Sequence, residues 1–119
     1  MKNLFELLFG KPVSTLSATE LNEKLKNGKR PLVLDVRQPD EYRSGHITGA
    51  KLIPLGQLSR RIKELPQSRE IVCVCASGNR SNSATRMLVG AGLNGVNMKG
   101  GMLAWRRAGL PVKKGDAAQ

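Results

Sequence analysis

Residues 71–88 read IVCVCASGNRSNSATRML. The stretch opens with the apolar, β-branched run 71–74, which predicts a strand. Small and turn-forming residues follow at 76–79, and a segment of helical character begins at Arg80. Cys75 lies where the strand ends and the turn begins. The stretch therefore predicts a strand, a tight turn and a helix, and it raises the question whether Cys75 is a nucleophile or a buried sulfur.

The flanking sequence repeats this order of strand and helix. Residues 31–36 form an apolar run without alternation, which is typical of a strand buried on both faces of a parallel sheet. Shorter strands are predicted at 51–53 and 95–98. Helices are predicted from the capping-box sequence at 17–20 to Gly28, and at about 39–44, 55–65, 80–91 and 102–109.

Alternating strands and helices predict an α/β fold with a mainly parallel central sheet of about five strands and helices on both faces. A chain of 119 residues suits one domain, which we expect at 14–112, with a flexible tail at 113–119. Residues 1–13 predict a short amphipathic helix with Leu4, Leu7 and Leu8 on one side. We expect it to cap the domain, and the alternatives are contact with a partner and fraying. In such a sheet, ligands bind beyond the carboxyl ends of the strands, where Asp35 and Cys75 both lie.

The charge balance favours anionic partners. The chain has 20 Lys and Arg against 9 Asp and Glu, a formal net charge of +11, and such a field attracts anions. The alternatives are a solubility surface without a partner, a small anionic substrate and, third, nucleic acid, for which no basic and aromatic segment is present. No apolar run is long enough to span a membrane, and the first residues lack a signal-peptide cleavage site. We expect a cytoplasmic monomer that binds no nucleic acid.

The cysteine and histidine content argues against a disulfide framework and a metal site. Cys73 and Cys75 are the two cysteines and His46 is the single histidine, so no set of ligands with metal-binding spacing can be assembled. We therefore expect neither a metal nor a cofactor. Cys73 lies inside the predicted strand and is interpreted as a core residue.

The loop after Cys75 can activate its thiol without a histidine base. A tight loop followed by the first turn of a helix directs backbone N–H groups at one point, and such a nest binds an anion. A thiol with a pKa of about 8.5 is about 3% ionised at pH 7, and lowering the pKa to about 6.5 requires about 2.7 kcal/mol. A helix terminus supplies about 0.3–1 kcal/mol, and two or three charge-assisted hydrogen bonds could supply the rest. The alternative is a buried structural cysteine.

Four motifs, in order along residues 14–112, resemble those of the rhodanese family of sulfurtransferases in its short single-domain form. They are LDVR at 34–37 followed by DEY at 40–42, GHITGA at 45–50, CASGNRS at 75–81, and GGMLAW at 100–105 with GLPV at 109–112. The resemblance implies a rhodanese-like three-layer fold and sulfurtransferase activity.

The resemblance also implies a mechanism and a set of site residues. Cys75 is the catalytic residue, and it takes a sulfane sulfur from thiosulfate, glutathione persulfide, a polysulfide or another protein. The resulting persulfide passes its outer sulfur to cyanide, a thiol or a protein acceptor. The active-site loop that binds the substrate comprises Ala76, Ser77, Gly78, Asn79, Arg80 and Ser81.

Residues outside the loop are expected to support it. Asp35 is expected to hydrogen-bond to the loop or to its arginine, and Arg37 to pair with Glu41. His46 is interpreted as a structural hydrogen-bonding residue in a turn, and Trp105 as a core residue.

Two positions depart from the family pattern. Thr48 stands where proline is common, so this turn is expected to be less rigid. Ala76 stands where many members have a charged or bulkier residue. A small residue there argues against a strong preference for thiosulfate and in favour of a larger donor or a protein.

Three alternatives to a free-standing sulfurtransferase stay open. One is a relay that moves sulfur between proteins, and another is a non-catalytic interaction module. The third is a cysteine-dependent phosphatase, because the dual-specificity cell-cycle phosphatases share this fold by resemblance. Their loop holds five residues between cysteine and arginine, whereas four separate Cys75 from Arg80.

Overall fold

The computed structural model describes residues 3–9 and 12–116. Its strands are β1 (Thr15–Leu16), β2 (Leu32–Asp35), β3 (Lys51–Leu52), β4 (Ile71–Val74) and β5 (Gly95–Met98). Its helices are α1 (Leu4–Phe9), α2 (Ala18–Leu25), α3 (Pro39–Ser44), α4 (Leu55–Arg61), α5 (Asn79–Gly90) and α6 (Gly101–Arg107), with a 3₁₀ turn at Ile62–Glu64.

The strands form one parallel sheet in the order β1-β5-β4-β2-β3. β4 lies in the centre, with Asp35 of β2 opposite Val74 and Asn97 of β5 opposite Cys73. This register brings the carboxyl ends of β2 and β4 to one edge of the sheet. The predicted α/β fold with a parallel sheet of about five strands is confirmed.

Helices cover both faces of the sheet. Val72 and Val74 of β4 belong to the core that α2, α3 and α6 complete, whereas Ile71 and Cys73 belong to the core beneath α4 and α5. Because both faces are buried, β4 is an uninterrupted apolar run rather than an alternating one. The architecture therefore has the three layers expected from the sequence.

Local hydrogen bonds fix where two of the helices begin. At α2, Ser17 Oγ accepts the Glu20 N–H at 3.1 Å and the Glu20 carboxylate accepts the Ser17 N–H at 2.8 Å, which confirms the predicted capping box. At α3, Pro39 occupies the first turn, where its missing N–H costs no helical hydrogen bond. Because α3 begins at Pro39, it follows shortly after the end of β2 at Asp35.

The three leucines of the N-terminal helix do not pack on the domain. Leu4, Leu7 and Leu8 are 71%, 68% and 65% exposed, so the prediction that they pack on the domain is wrong. The physical reason is that α2 to α6 already cover both faces of the sheet and leave these leucines no core to enter.

Further details differ from the predicted elements. The two-residue strand β1 was not predicted, because two residues carry no periodicity. α5 begins one residue earlier than predicted, at Asn79, and β3 is one residue shorter. None of the described helices has the length and hydropathy of a membrane-spanning segment.

Part of the predicted tail is hydrogen-bonded to the domain. Lys113 exchanges two backbone hydrogen bonds with His46, at 3.0 and 2.8 Å, and the Gly115 N–H donates to the Arg43 carbonyl at 2.9 Å. Residues 117–119, the rest of that tail, lie outside the described residues.

Candidate active site

Cys75 follows β4 directly and lies at the carboxyl edge of the sheet, with 0% of its surface exposed. Its Sγ accepts the Gly78 N–H at 3.1 Å and lies 3.3 Å from Ser81 Oγ. Gly78 belongs to the loop and Ser81 to the first turn of α5, so strand, loop and helix all meet at the sulfur. The structure thus brings together three of the residues that the sequence placed in this site.

The surroundings of Cys75 favour the thiolate. Burial alone would raise the pKa of the Cys75 thiol. The hydrogen bond from the Ser81 hydroxyl and the backbone N–H groups of Ser81, Gly78 and Ser77 outweigh burial and hold the pKa below its ordinary value.

Cys73 has the opposite environment. It is fully buried in β4, and burial raises the pKa of its thiol to about 11, although a hydrogen bond with Thr85 acts in the other direction. At neutral pH Cys73 is therefore a protonated core residue. The two cysteines differ in chemistry although one residue separates them.

The start of α6 holds the outer side of the loop. The Met102 N–H donates to the Cys75 carbonyl at 2.8 Å, and the Leu103 N–H donates to the Ala76 carbonyl at 3.1 Å. Gly101, at φ +58°, lies so close that a Cβ there would collide with both loop carbonyl groups. Because α6 binds these two carbonyl oxygens, the loop can turn its N–H groups inward to the sulfur.

Asn97 of β5 supports the loop from beneath, a role that the sequence did not indicate. Its Nδ2 donates to the Gly78 carbonyl at 3.3 Å, and the same carbonyl accepts the Asn82 N–H at 3.1 Å. Its Oδ1 is buried and is the one buried side-chain N or O atom without a hydrogen-bond partner in the described part of the chain. A lone asparagine in a short strand gives no sequence signal, since only the pairing of β4 with β5 places it below the loop.

The loop arginine pairs with α3 rather than pointing at the sulfur. Arg80 donates to both carboxylate oxygens of Glu41, at 2.8 and 2.9 Å, and this hydrogen bonding lowers the pKa of Glu41 to about 2. The predicted pair of Arg37 and Glu41 is therefore wrong. Arg37 instead donates to the Asp35 carboxylate at 2.8 Å and to the Gly45 carbonyl at 2.9 Å, because the end of β2 turns the two side chains together. The expectation that Asp35 bonds to the loop or to its arginine is therefore also wrong, since its carboxylate accepts from Arg37.

The remaining loop residues are less buried than Cys75. Asn79 and Ser77 are exposed, and Ala76 is half-buried. Within the described residues, no group of three or more His, Cys, Asp and Glu side chains is placed to hold a metal ion.

Comparison with known proteins agrees with this geometry. The sequence profile of the rhodanese-like domain matches residues 17–108. A sulfurtransferase of Allochromatium vinosum is 35% identical over 101 residues, which cover 84% of this chain and 94% of that protein. A crystal structure of a rhodanese-related protein from Thermoplasma volcanium matches with a TM-score of 0.79 and 36% identity, covering 84% of this chain and 97% of that one.

The chain belongs to the rhodanese-like domain family. Some relatives are longer: a putative sulfur carrier protein of Bacillus subtilis, YrkF, is 35% identical over 94 residues, which cover 78% of this chain and 51% of that protein. The domain thus occurs both by itself and as about half of a larger chain.

A second motif of this rhodanese-like domain, GHITGA, has a structural role. His46 is buried and stacks on Tyr42 with ring centroids 3.6 Å apart. Its Nδ1 lies 2.8 Å from the Tyr42 carbonyl oxygen, which can only accept, so Nδ1 carries the proton. Trp105 is likewise buried and donates to the Pro111 carbonyl at 2.9 Å.

A depression of about 420 Å³ adjoins the loop, and we call it the mouth. Ala76 and Ser77, the two residues that follow Cys75, line it. Its lining also includes Arg37, Glu41, Met102, Leu103 and Arg106. Two further depressions, which share Arg30 and Arg69, lie at the amino ends of β2 and β4, away from the thiol.

Proposed function

We propose that this rhodanese-like domain is a sulfurtransferase in which Cys75 carries the transferred sulfur as a persulfide. One observation carries the proposal: Cys75 Sγ accepts the Gly78 N–H at 3.1 Å and contacts the Ser81 hydroxyl at 3.3 Å, at the carboxyl edge of a parallel sheet. The names of two relatives, a sulfurtransferase and a putative sulfur carrier protein, support it.

The first step transfers a sulfur atom from the donor to Cys75. The Cys75 thiolate attacks the outer sulfur of a donor such as thiosulfate, the Sγ–S bond forms, and the S–S bond of thiosulfate breaks. Sulfite leaves with the electron pair of that bond, so the step needs no oxidant. The N–H groups that stabilise the thiolate then lie next to the persulfide anion, as electrostatic stabilisation requires.

The second step transfers the sulfur from the Cys75 persulfide to an acceptor. An acceptor such as cyanide or a thiol attacks the outer sulfur of the persulfide, and the Cys75 thiolate leaves and returns to the same hydrogen bonds. The product is thiocyanate when cyanide is the acceptor. Because one loop stabilises an anion in both steps, no metal or cofactor is required.

The geometry of the loop favours sulfur over phosphate. Two N–H groups of α6 bind the carbonyl oxygens of Cys75 and Ala76, and Gly78 packs against Gly100. The Arg80 guanidinium is engaged by both oxygens of Glu41, whereas a phosphatase would use it to bind the phosphate. A loop of four residues held in this way fits one sulfur atom around Cys75.

The experiment is intact-mass measurement after brief exposure to thiosulfate, glutathione persulfide or a polysulfide, followed by cyanide. We expect the mass to increase by one sulfur atom and the increase to disappear with cyanide. Cys75→Ser should prevent the increase, and Cys73→Ser, the matched control, should leave it intact. A protein that takes up no sulfur from any of the donors would contradict the proposal.

The same assay separates a free-standing enzyme from a relay. An enzyme that uses small molecules should turn over thiosulfate and cyanide repeatedly. A relay should form the persulfide once but release it rapidly only to a protein acceptor. We propose the free-standing form, acting as a cytoplasmic monomer on small anionic donors.

A further inference from the structure

We propose that Arg106 and Leu103 of α6 form a donor subsite in the mouth, which binds an organic persulfide through a carboxylate and its adjoining carbon chain. The inference rests on the proposed function and specifies the donor class of that site. It predicts a preference for a persulfide that bears a carboxylate over one that does not.

Charge pairing at the mouth leaves Arg106 as the group that can attract an anion. Arg37 is 3% exposed and paired with Asp35, and Arg80 is paired with both oxygens of Glu41. Each of these two cations is therefore neutralised by an adjacent carboxylate. Arg106 is exposed and forms none of the ion pairs found in the described part of the chain.

The backbone at Gly45 positions Arg106 at the mouth. The Gly45 carbonyl accepts the Arg37 guanidinium at 2.9 Å and lies 3.5 Å from Nη2 of Arg106. The Arg106 guanidinium also lies against the Cα of Gly45, where a side chain would collide with it. Two guanidinium groups therefore converge on one carbonyl oxygen. Among the described residues this is the one hydrogen bond found for the Arg106 side chain, which leaves most of its N–H donors for a carboxylate.

The other wall of the mouth is apolar. Leu103 is 52% exposed although it lies one helical position from the buried Met102, and Ala76 adds a small apolar surface from the loop. An inorganic oxyanion gains nothing from such a wall, whereas the methylene groups of an organic donor are removed from water against it. The volume of about 420 Å³ is in the range of small-molecule sites and exceeds what a single oxyanion needs.

The chemistry is a sulfur transfer without redox change. The Cys75 thiolate attacks the outer sulfur of R–S–SH, the new Sγ–S bond forms, and the bond between the two donor sulfurs breaks. The electron pair leaves on R–S⁻, and the proton stays on the transferred sulfur. Arg106 binds the carboxylate within R, so it affects donor binding rather than the transfer itself.

The test compares three donors with cyanide as the common acceptor: glutathione persulfide, the persulfide of 2-mercaptoethanol, and thiosulfate. Arg106→Gln should raise KM for glutathione persulfide about fivefold, with kcat unchanged, and should not alter KM for the persulfide of 2-mercaptoethanol, which has no carboxylate. Arg106→Lys should recover part of the effect. Arg107→Gln, the matched control on an exposed neighbour, should change none of these values.

Leu103→Ser tests the apolar wall. It should raise KM about threefold for both organic persulfides and leave thiosulfate unaffected. A change of equal size for all donors in Arg106→Gln, or no change for glutathione persulfide, would overturn the subsite.

The outcomes separate the subsite from the proposed function. If wild-type protein takes sulfur from these donors at Cys75 but Arg106→Gln behaves like wild type, only the subsite is lost. If wild-type protein takes no sulfur from any donor, the sulfurtransferase proposal fails and the subsite fails with it.

Discussion

Cys73 and Cys75 are separated by one residue, and both side chains belong to the core beneath α4 and α5. Burial acts on each thiol in the same direction, yet the pKa of Cys73 is raised and that of Cys75 is lowered. The difference is made by N–H and O–H donors, because Cys75 lies beyond the last residue of β4, where the loop amides turn toward it. Position relative to the strand end therefore decides which sulfur is reactive.

Removal of the Ser81 hydroxyl should raise the pKa of Cys75. A hydrogen bond to a charged group contributes about 1.5–3 kcal/mol, and one pKa unit corresponds to about 1.4 kcal/mol, so we expect an increase of about one unit or more in Ser81→Ala. The pH dependence of alkylation by iodoacetamide measures it, with modification at Cys75 identified by mass. Ser83→Ala, an exposed serine of the same helix, is the control and should titrate like wild type. An unchanged profile in Ser81→Ala would show that the backbone amides suffice.

Cys73 should make the fold less stable at alkaline pH. Its folded pKa is about 11 and its ordinary value is 9.0, so between these values the unfolded chain releases this proton and the folded chain does not. Stability therefore falls as pH rises through the ordinary value and levels off above about 11. Cys75 has the opposite sign: its lowered pKa stabilises the fold above the unfolded pKa, and this contribution is lost as pH falls through the folded pKa.

Urea unfolding of wild type and Cys73→Val at about pH 8 and about pH 10.5 isolates the Cys73 contribution. Wild type should lose about 2 kcal/mol more than the variant over this range. Equal losses in the two proteins would mean that Cys73 ionises in the folded state as readily as in the unfolded chain.

At the scale of elements, the loop depends on how closely α6 approaches it. Gly101 has φ +58°, and a Cβ there would collide with the Cys75 and Ala76 carbonyl groups. Gly109 also has a positive φ, +73°, but its Cβ would meet nothing within 4 Å. Substitutions at the two glycines therefore distinguish the cost of backbone strain from the cost of a steric collision.

We expect Gly109→Ala to cost about 1–2 kcal/mol of stability from strain alone. Gly101→Ala should cost at least about 3 kcal/mol, because displacement of the loop adds to the strain. It should also raise the pKa of Cys75, since the loop amides lose their positions, whereas Gly109→Ala should not. Denaturant unfolding and the alkylation profile measure the two effects, and equal stability losses in the two variants would contradict the close approach.

Local sequence patterns predicted the strands and helices but not the contacts between them. Runs such as 71–74 and the capping box at 17–20 are local signals, and the strands and helices they predicted were found. The position of Cys75 at the sheet edge followed from the same local pattern. The partner of Glu41 could not be predicted, because Arg37 is near in sequence, whereas Arg80 is brought to α3 by the pairing of β2 with β4. Asn97 likewise reaches the loop only through the pairing of β4 with β5.

At the scale of the whole molecule, the net charge of +11 arises because 20 Lys and Arg residues face 9 Asp and Glu residues. Six carboxylates in the described part of the chain form ion pairs, those of Glu23, Asp35, Glu41, Glu64, Glu70 and Asp116. Few acidic groups are left to offset the other Lys and Arg residues. The surface as a whole therefore presents a positive field to an approaching donor.

If this field steers anionic donors, transfer should depend on salt. Raising the ionic strength from about 0.01 M to about 0.15 M shortens the Debye length from about 30 Å to about 8 Å, which screens the distant charges. We expect kcat/KM for thiosulfate, a dianion, to fall severalfold over this range in NaCl, and kcat/KM for the persulfide of 2-mercaptoethanol to change much less. Arg106→Gln should retain the salt dependence for thiosulfate, because that dependence arises from the whole surface rather than from one residue. A rate for thiosulfate that does not depend on NaCl would mean that the basic surface serves solubility and that donor recognition is confined to the mouth.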